Sequence, residues 1–450
     1  MKTNSKNPKS HKGVVHISLL LLLSIIIYLF RQKQDVEIMY NYICFILLLI
    51  STYTYYKYIK KKNFLDFDTI FIFILTVIGF LYPVFLYSKS SPFLFFFGLS
   101  FNIGFINTGT ILFLIALQAY FLGSLSTVVK KNNKLAPKNE INTSFLILIV
   151  IILSISFIGL GGIGHFQAMY KEDVASNASP MTFQVMVLLH AFSIVVIGTE
   201  FYNKKVNSNY KFSKLFIITI LGVMFLMLYA GNRTFASYLG LPIIVLWAFF
   251  FKKVNKIGII LFFSISLSSM FVIQSLRSGA EVKLPTNLGK SLSDLVIVSR
   301  STYSSLEYVT KNGFTYGLSM SGGLFGIIPS LESYLLNNTN MLKDDLGSAE
   351  TLTRFTLGAD RSVGLGTNLV ADIYLSFGFF GLFFLMFILG RFIRLKSIKA
   401  LELNYYSIIS LTVMISFAAF LPRSSYSIPF KLLVWCHIIS KFNLLLTKKK

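Results

Sequence analysis

Read for polarity alone, the chain is a series of apolar runs of about 20 residues separated by short polar connections. A helix of that length rises far enough to cross a bilayer. Twelve spans are expected, near residues 14–30, 38–56, 67–87, 105–129, 141–160, 181–202, 212–230, 234–251, 257–276, 366–389, 403–421 and 428–446. The expected fold class is therefore all-α: a polytopic membrane protein, residues 1–450 forming a single integral membrane domain. The first run follows Lys2, Lys6, Lys9 and Lys12, as a signal peptide would. It passes into Tyr28-Leu29-Phe30-Arg31 without a small-residue cleavage site and so reads as a retained span.

One connection departs from this rhythm. Residues 277–365, between the ninth and tenth spans, carry eight acidic residues together with Arg277, Arg300, Arg354 and Arg361. Connections of this length in compact proteins usually have a function. Within it, Leu292–Thr310 mixes apolar and polar residues as a surface-lying helix does, and the glycine-rich, apolar Gly322–Pro329 is expected to dip back towards the bilayer. Ser88–Gly104 reads as a second re-entrant segment.

Charge then orients the chain. Only 13% of residues are charged, about half the share of a soluble domain. A net charge of +24 would suggest nucleic acid in a soluble protein. Here the basic residues cluster between apolar runs, so no nucleic-acid partner is expected. Alternate connections and both termini collect 27 of the 42 Lys and Arg but only five of the 18 acidic residues. The rule that positive connections stay in the cytoplasm gives both termini inside. Cys44 and Cys436 lie in apolar runs and suggest neither a disulfide nor a metal site.

Lysine and arginine divide unevenly across that topology. Of 33 lysines 25 fall inside, whereas seven of nine arginines (31, 233, 277, 300, 354, 361 and 423) fall outside. Topology needs only positive charge, so these arginines call for another reason: snorkelling, pairing with loop carboxylates, or ligand binding. The guanidinium fork binds phosphate oxygens bidentately. Arg233 occupies the hairpin Ala230-Gly231-Asn232-Arg233-Thr234, and Arg423 the turn Pro422-Arg423-Ser424-Ser425. Arg277 follows the ninth span and Arg361 precedes the tenth. Four arginines at four outward helix ends suggest convergence on one anionic ligand, such as a lipid pyrophosphate.

The segment Gly364-Leu365-Gly366-Thr367-Asn368-Leu369-Val370-Ala371-Asp372-Ile373-Tyr374-Leu375-Ser376-Phe377-Gly378-Phe379-Phe380-Gly381 resembles the loop-to-span segment of Wzy-type O-antigen and capsular repeat-unit polymerases. In that family a glycine-rich approach leads into an acidic-x-Tyr-Leu-x-Phe-Gly-x-x-Gly pattern. The Gly-Asn-Arg hairpin and the arginine after Pro422 are similar to other features of the family. The resemblance implies a glycosyltransferase in the bacterial cytoplasmic membrane. Its expected reaction moves a growing glycan from undecaprenyl pyrophosphate to an incoming lipid-linked repeat unit. It also implies a chain-length regulator and a flippase as partners. No His/Asp/Glu cluster has metal-ligand spacing, so neither a metal nor a cofactor is expected. Rival readings are an O-antigen ligase and a lipid-linked oligosaccharide flippase or other transporter.

The expected catalytic set is Arg233, Arg277, Arg300, Arg361, Arg423, Asp372 and Glu307. Arginines would stabilise the leaving pyrophosphate. Asp372, an acidic residue in the tenth span, would act in chemistry or pair with an arginine. Glu307, seven residues after Arg300, is a candidate base. Tyr374, His165, Asn232 and Asn368 are expected around the substrate. His190 and His437 read as buried polar residues satisfied by neighbouring helices. Gly378 and Gly381 read as a small-residue pair for close helix packing.

Overall fold

In the computed structural model, residues 8–87, 101–128, 139–168, 180–208, 210–261, 264, 293–328, 330–339, 341–358 and 364–448 are described. The first helices are α1 Pro8–Leu29, α2 Ile38–Ile59, α3 Phe67–Phe80, α4 Phe105–Leu125, α5 Ser144–Gly159 and α6 Pro180–Val206. They are followed by α7 Lys214–Tyr229, α8 Arg233–Phe250, α9 Ser293–Asn312, α10 Ser348–Leu357, α11 Leu369–Leu401, α12 Tyr405–Ser416 and α13 Ile428–Lys448, with shorter turns between them. Among the described residues all regular structure is helical. Eight helices (α1, α2, α3 with its continuation, α4, α6, α8, α11 and α13) are long and apolar enough to cross a membrane. Helices α5, α7 and α12 are apolar but shorter. Most of the expected span at 257–276, most of the Ser88–Gly104 segment and the first part of the long connection lie outside the described residues, while residues 257–261 are helical.

Helix starts follow local chemistry. The side chains of Asp66, Ser213, Asn232, Asn368 and Asn404 each accept a hydrogen bond from a backbone N–H in the first turn of the helix they precede. These groups satisfy donors that the helix itself leaves open. Pro83, which has no N–H to give, lies in the wider π turn Leu81–Leu86 that continues α3.

Helix α4 forms the centre, with nearly all its residues buried, and α11 crosses it at backbone contact. A methyl group at Gly123 would lie 1.9 Å from the Phe387 carbonyl oxygen, and one at Gly390 would lie 2.0 Å from that of Tyr120. These two glycines make the close helix packing that the sequence suggested for Gly378 and Gly381. Gly378 has a different task. Its φ of 65° and ψ of −155° break α11 into an arm, residues 369–377, and a rod, residues 379–401. At 1.5 Å per residue the rod alone is about 34 Å long, enough to cross a bilayer. The break frees the Leu375 carbonyl, which accepts the backbone N–H of Thr315 at 3.0 Å. The ring of Phe314 fills the space where a Gly378 side chain would stand.

Connections gather at two ends. At the lysine-rich end Phe64 donates its N–H to the Val254 carbonyl at 2.9 Å, and Asn203 holds both backbone groups of Ile141. At the other end Asn107 on α4 bonds the carbonyls of Gln32 and Asp35 and the N–H of Glu37. The long connection packs at this arginine-bearing end.

Candidate functional site at the arginine-bearing end

The α11 arm organises this end through two polar residues one helical turn apart. Asn368 is fully buried. While capping α11, its side-chain amide donates to the Val298 carbonyl at 2.8 Å, Ser301 Oγ at 3.0 Å and Thr302 Oγ1 at 2.8 Å. It thereby fixes α9, the helix that carries Arg300. Asp372 is also fully buried. Its Oδ2 accepts from Ser425 Oγ at 2.9 Å and from the Tyr426 N–H at 2.8 Å, which fixes the turn carrying Arg423. Ser348 lies beside the carboxylate but donates its hydroxyl to Thr367 at 3.0 Å, and Asp372 Oδ1 makes no hydrogen bond. Tyr426 then braces the bend in α11. Its N–H meets Asp372 on the arm, and its hydroxyl meets the Leu385 carbonyl on the rod at 3.2 Å.

Helix α9 is present where the sequence suggests, but it does not lie on the surface. Its central run Ser299-Arg300-Ser301-Thr302-Tyr303-Ser304-Ser305 is buried. The run tolerates burial because its hydroxyls find acceptors. Ser299, Ser301 and Ser305 donate to carbonyls three residues back, and Ser304 shares a hydrogen bond with Thr356. Arg300 is 1% exposed. Its guanidinium lies 4.2 Å above the Phe101 ring, and Nη1 donates to Ser304 Oγ at 2.7 Å. Burial lowers the Arg300 pKa to about 10, against the opposing influence of Glu307, so it remains cationic at neutral pH. Glu307 is held by Lys311 at 2.8 Å on the same helix face.

Arg423 is half-buried and makes no side-chain hydrogen bond or ion pair among the described residues. It lies within electrostatic reach of Tyr238 on α8. Tyr238 sits in an aromatic cluster with His190, Phe235, Phe417 and Phe420. Beside the same turn an apolar groove runs between α11, α12 and α13, lined by Leu421, Tyr426, Pro429, Phe430, Ile388 and Phe392 among others. A cation with no hydrogen bond or ion pair among the described residues, next to an apolar groove, matches a ligand with an anionic head and a long apolar tail.

The other expected residues separate. Asn232 caps α8 and Arg233 is half-buried at its first position. Tyr374 lies within electrostatic reach of Tyr28 and Arg31, on the other side of the arm from Asp372. His165 stands over Phe166, with Nδ1 buried and unbonded, on the short helix Gly162–Ala168. Arg277 and Arg361 lie outside the described residues, and Arg354 is paired with Asp345. Both histidines expected to be satisfied keep one unbonded ring nitrogen, Nε2 in His190 and Nδ1 in His437. Among the described residues no three His, Cys, Asp or Glu side chains gather to hold a metal. Sequence reasoning missed Ser425 and Tyr426 as partners of Asp372, and named Arg31 among the outward arginines without placing it in the site. Ser425 lay within the turn already singled out for its arginine, but its bond to Asp372 crosses 53 positions and leaves no local signal.

A family model described as O-antigen polysaccharide polymerase Wzy matches residues 14–449. No curated protein and no solved structure matches the chain.

Proposed function

Given that the chain belongs to the Wzy family of O-antigen polysaccharide polymerases, we propose that it joins lipid-linked repeat units of a surface polysaccharide at the outer face of the bacterial cytoplasmic membrane. Twelve crossings place both termini in the cytoplasm, and the long connection, residues 277–365, faces outward within a single membrane domain. The substrate is an oligosaccharide on undecaprenyl pyrophosphate. A flippase delivers it, and a chain-length regulator acts alongside.

In the reaction the bond between the growing glycan's anomeric carbon and its pyrophosphate oxygen breaks. A hydroxyl at the non-reducing end of the incoming unit forms the new glycosidic bond and gives up its proton. Undecaprenyl pyrophosphate leaves with the electron pair. The observation that carries this reading is Arg423, which has no ion pair among the described residues and adjoins an apolar groove. A guanidinium there stabilises the pyrophosphate as its negative charge grows, while the groove receives part of the isoprenoid tail. Arg233, Arg277 and Arg361 complete the cationic surface, while the buried Arg300 adds its charge from within the α9 packing. Asp372 and Asn368 position the two elements that carry Arg423 and Arg300.

The test is the purified protein in lipid, supplied with one lipid-linked repeat unit and no ATP, sugar nucleotide or added metal. A ladder of longer lipid-linked glycans is expected, because the pyrophosphate ester already stores the driving force. A ligase would leave the unit unextended until a lipid-A core acceptor was added, and a flippase would move it between leaflets without lengthening it. Either result would replace the reading.

A further inference from the structure

The α11 arm has a second cationic face, where Tyr374 alone of the expected site residues stands. Asp372 and Tyr374 are two positions apart, roughly 200° around a helix, so they look to opposite sides. Asp372 meets the Arg423 turn, whereas Tyr374 lies within electrostatic reach of Tyr28 and Arg31, and the Tyr28 ring packs on Phe379 of α11. Arg31 is held firmly. Nε donates to Thr108 Oγ1 at 2.9 Å, Nη1 donates to the Tyr28 carbonyl at 2.7 Å, and the guanidinium lies 3.9 Å over the Tyr28 ring. Nη2 makes no hydrogen bond among the described residues, and neither Asp35 nor Glu37 in the same connection forms an ion pair with Arg31. That connection is itself pinned to α4 by Asn107. The apolar surface continues outward from Tyr28 through Phe379 to Phe380. Phe380 and the neighbouring Phe30 are each 83% exposed.

We propose that Arg31 is the head-group site for a second pyrophosphate-linked lipid, separated from the Arg423 site by the thickness of the arm. The inference rests on the polymerase reading, in which two lipid-linked molecules must be held at once. One carries the growing chain, the other the incoming unit. The fixed guanidinium presents its free Nη2 edge to phosphate oxygens, and the exposed phenylalanines face the tail. The arm between the sites keeps the two anionic heads apart while the glycans extend beyond the membrane.

The experiment counts bound lipids by native mass spectrometry on the detergent-solubilised full chain, with undecaprenyl pyrophosphate as the probe. The wild-type protein should bind two. Arg31→Ala and Arg423→Ala should each bind one, and the double variant none. Arg31→Gln, which retains a donor towards Thr108, should also bind one, so a fold defect in the alanine variant would not hide the answer. An excess of phosphatidylglycerol should leave the count at two. One lipid on the wild-type protein, two on a folded Arg31→Gln variant, or displacement of the second lipid by phosphatidylglycerol would each overturn the proposal. The count needs no turnover, so a missing glycan ladder condemns the polymerase reading, and a working ladder with one bound lipid condemns only this one.

Discussion

Two cations at opposite ends of the helical bundle, Lys61 and Arg423, are treated in opposite ways. At the lysine-rich end Lys61 and its neighbouring carboxylates neutralise one another. Lys61, 5% exposed at its side chain, bonds Asp66 and lies 3.9 Å from Asp68, while Asp68 also accepts from the hydroxyls of Tyr55 and Tyr120. Glu200, fully buried at the same end, takes its hydrogen bonds from the neutral hydroxyls of Thr143 and Tyr210, as Asp372 does from neutral donors at the other end. At the arginine-bearing end the buried carboxylate of Asp372 takes its hydrogen bonds from neutral donors, although Arg423 is only two residues from Ser425. A cation paired internally has its charge spent on the fold. One with no ion pair among the described residues keeps its charge available to a ligand.

This contrast makes Lys61→Met the most damaging change to stability. Removing one partner of a buried ionic cluster leaves uncompensated charge and costs about 3–5 kcal/mol. The melting temperature in detergent should fall sharply, while the folded fraction should retain wild-type kcat/KM for the lipid-linked unit. A changed kcat/KM at full folding would mean that the lysine-rich end also serves the reaction.

Asp372→Ala should rank next. It leaves the Ser425 hydroxyl and Tyr426 N–H without their acceptor, at about 1–3 kcal/mol, and releases the Arg423 turn. Both melting temperature and glycan yield should drop, and Asp372→Asn should recover most of the stability. Normal stability in Asp372→Asn with no remaining product would assign the carboxylate to chemistry rather than to positioning.

The smallest effect should come from Glu307→Gln. Its helix-surface pair with Lys311 contributes about 0.3–0.5 kcal/mol, so stability should barely move and product yield should stay within about twofold. Loss of all product at unchanged stability would instead make Glu307 the base.

Much of this arrangement is legible in the sequence, and the remainder fails for definite reasons. Apolar runs mark the helices because bilayer thickness fixes their length. Asn232 and Asn368 stand where polar caps belong, and the separation of arginine from lysine points to the end that matters. Residue type alone hid three features. The serine-rich run of α9 reads as a wet face because burial becomes tolerable only through bonds such as those from Asn368, up to 70 positions away. Gly378 looks like a packing glycine until its positive φ shows a bend, whereas Gly123 and Gly390 pack together from opposite parts of the chain. Arg31 reads as an ordinary loop cation until α4, 77 positions on, fixes it beside the arm.

The central claim is that an arginine left free of carboxylates engages the pyrophosphate, and the most direct measurement is kcat/KM for lipid-linked repeat-unit extension in Arg423→Ala and Arg423→Lys. Loss of a charge-assisted bond costs about 1.5–3 kcal/mol, so the alanine variant should fall at least about tenfold. Lysine should restore little of that, since a point charge lacks the bidentate fork, and neither change should lower the melting temperature, because Arg423 makes no internal hydrogen bond or ion pair among the described residues. Wild-type kcat/KM in a stably folded Arg423→Ala protein would contradict the account.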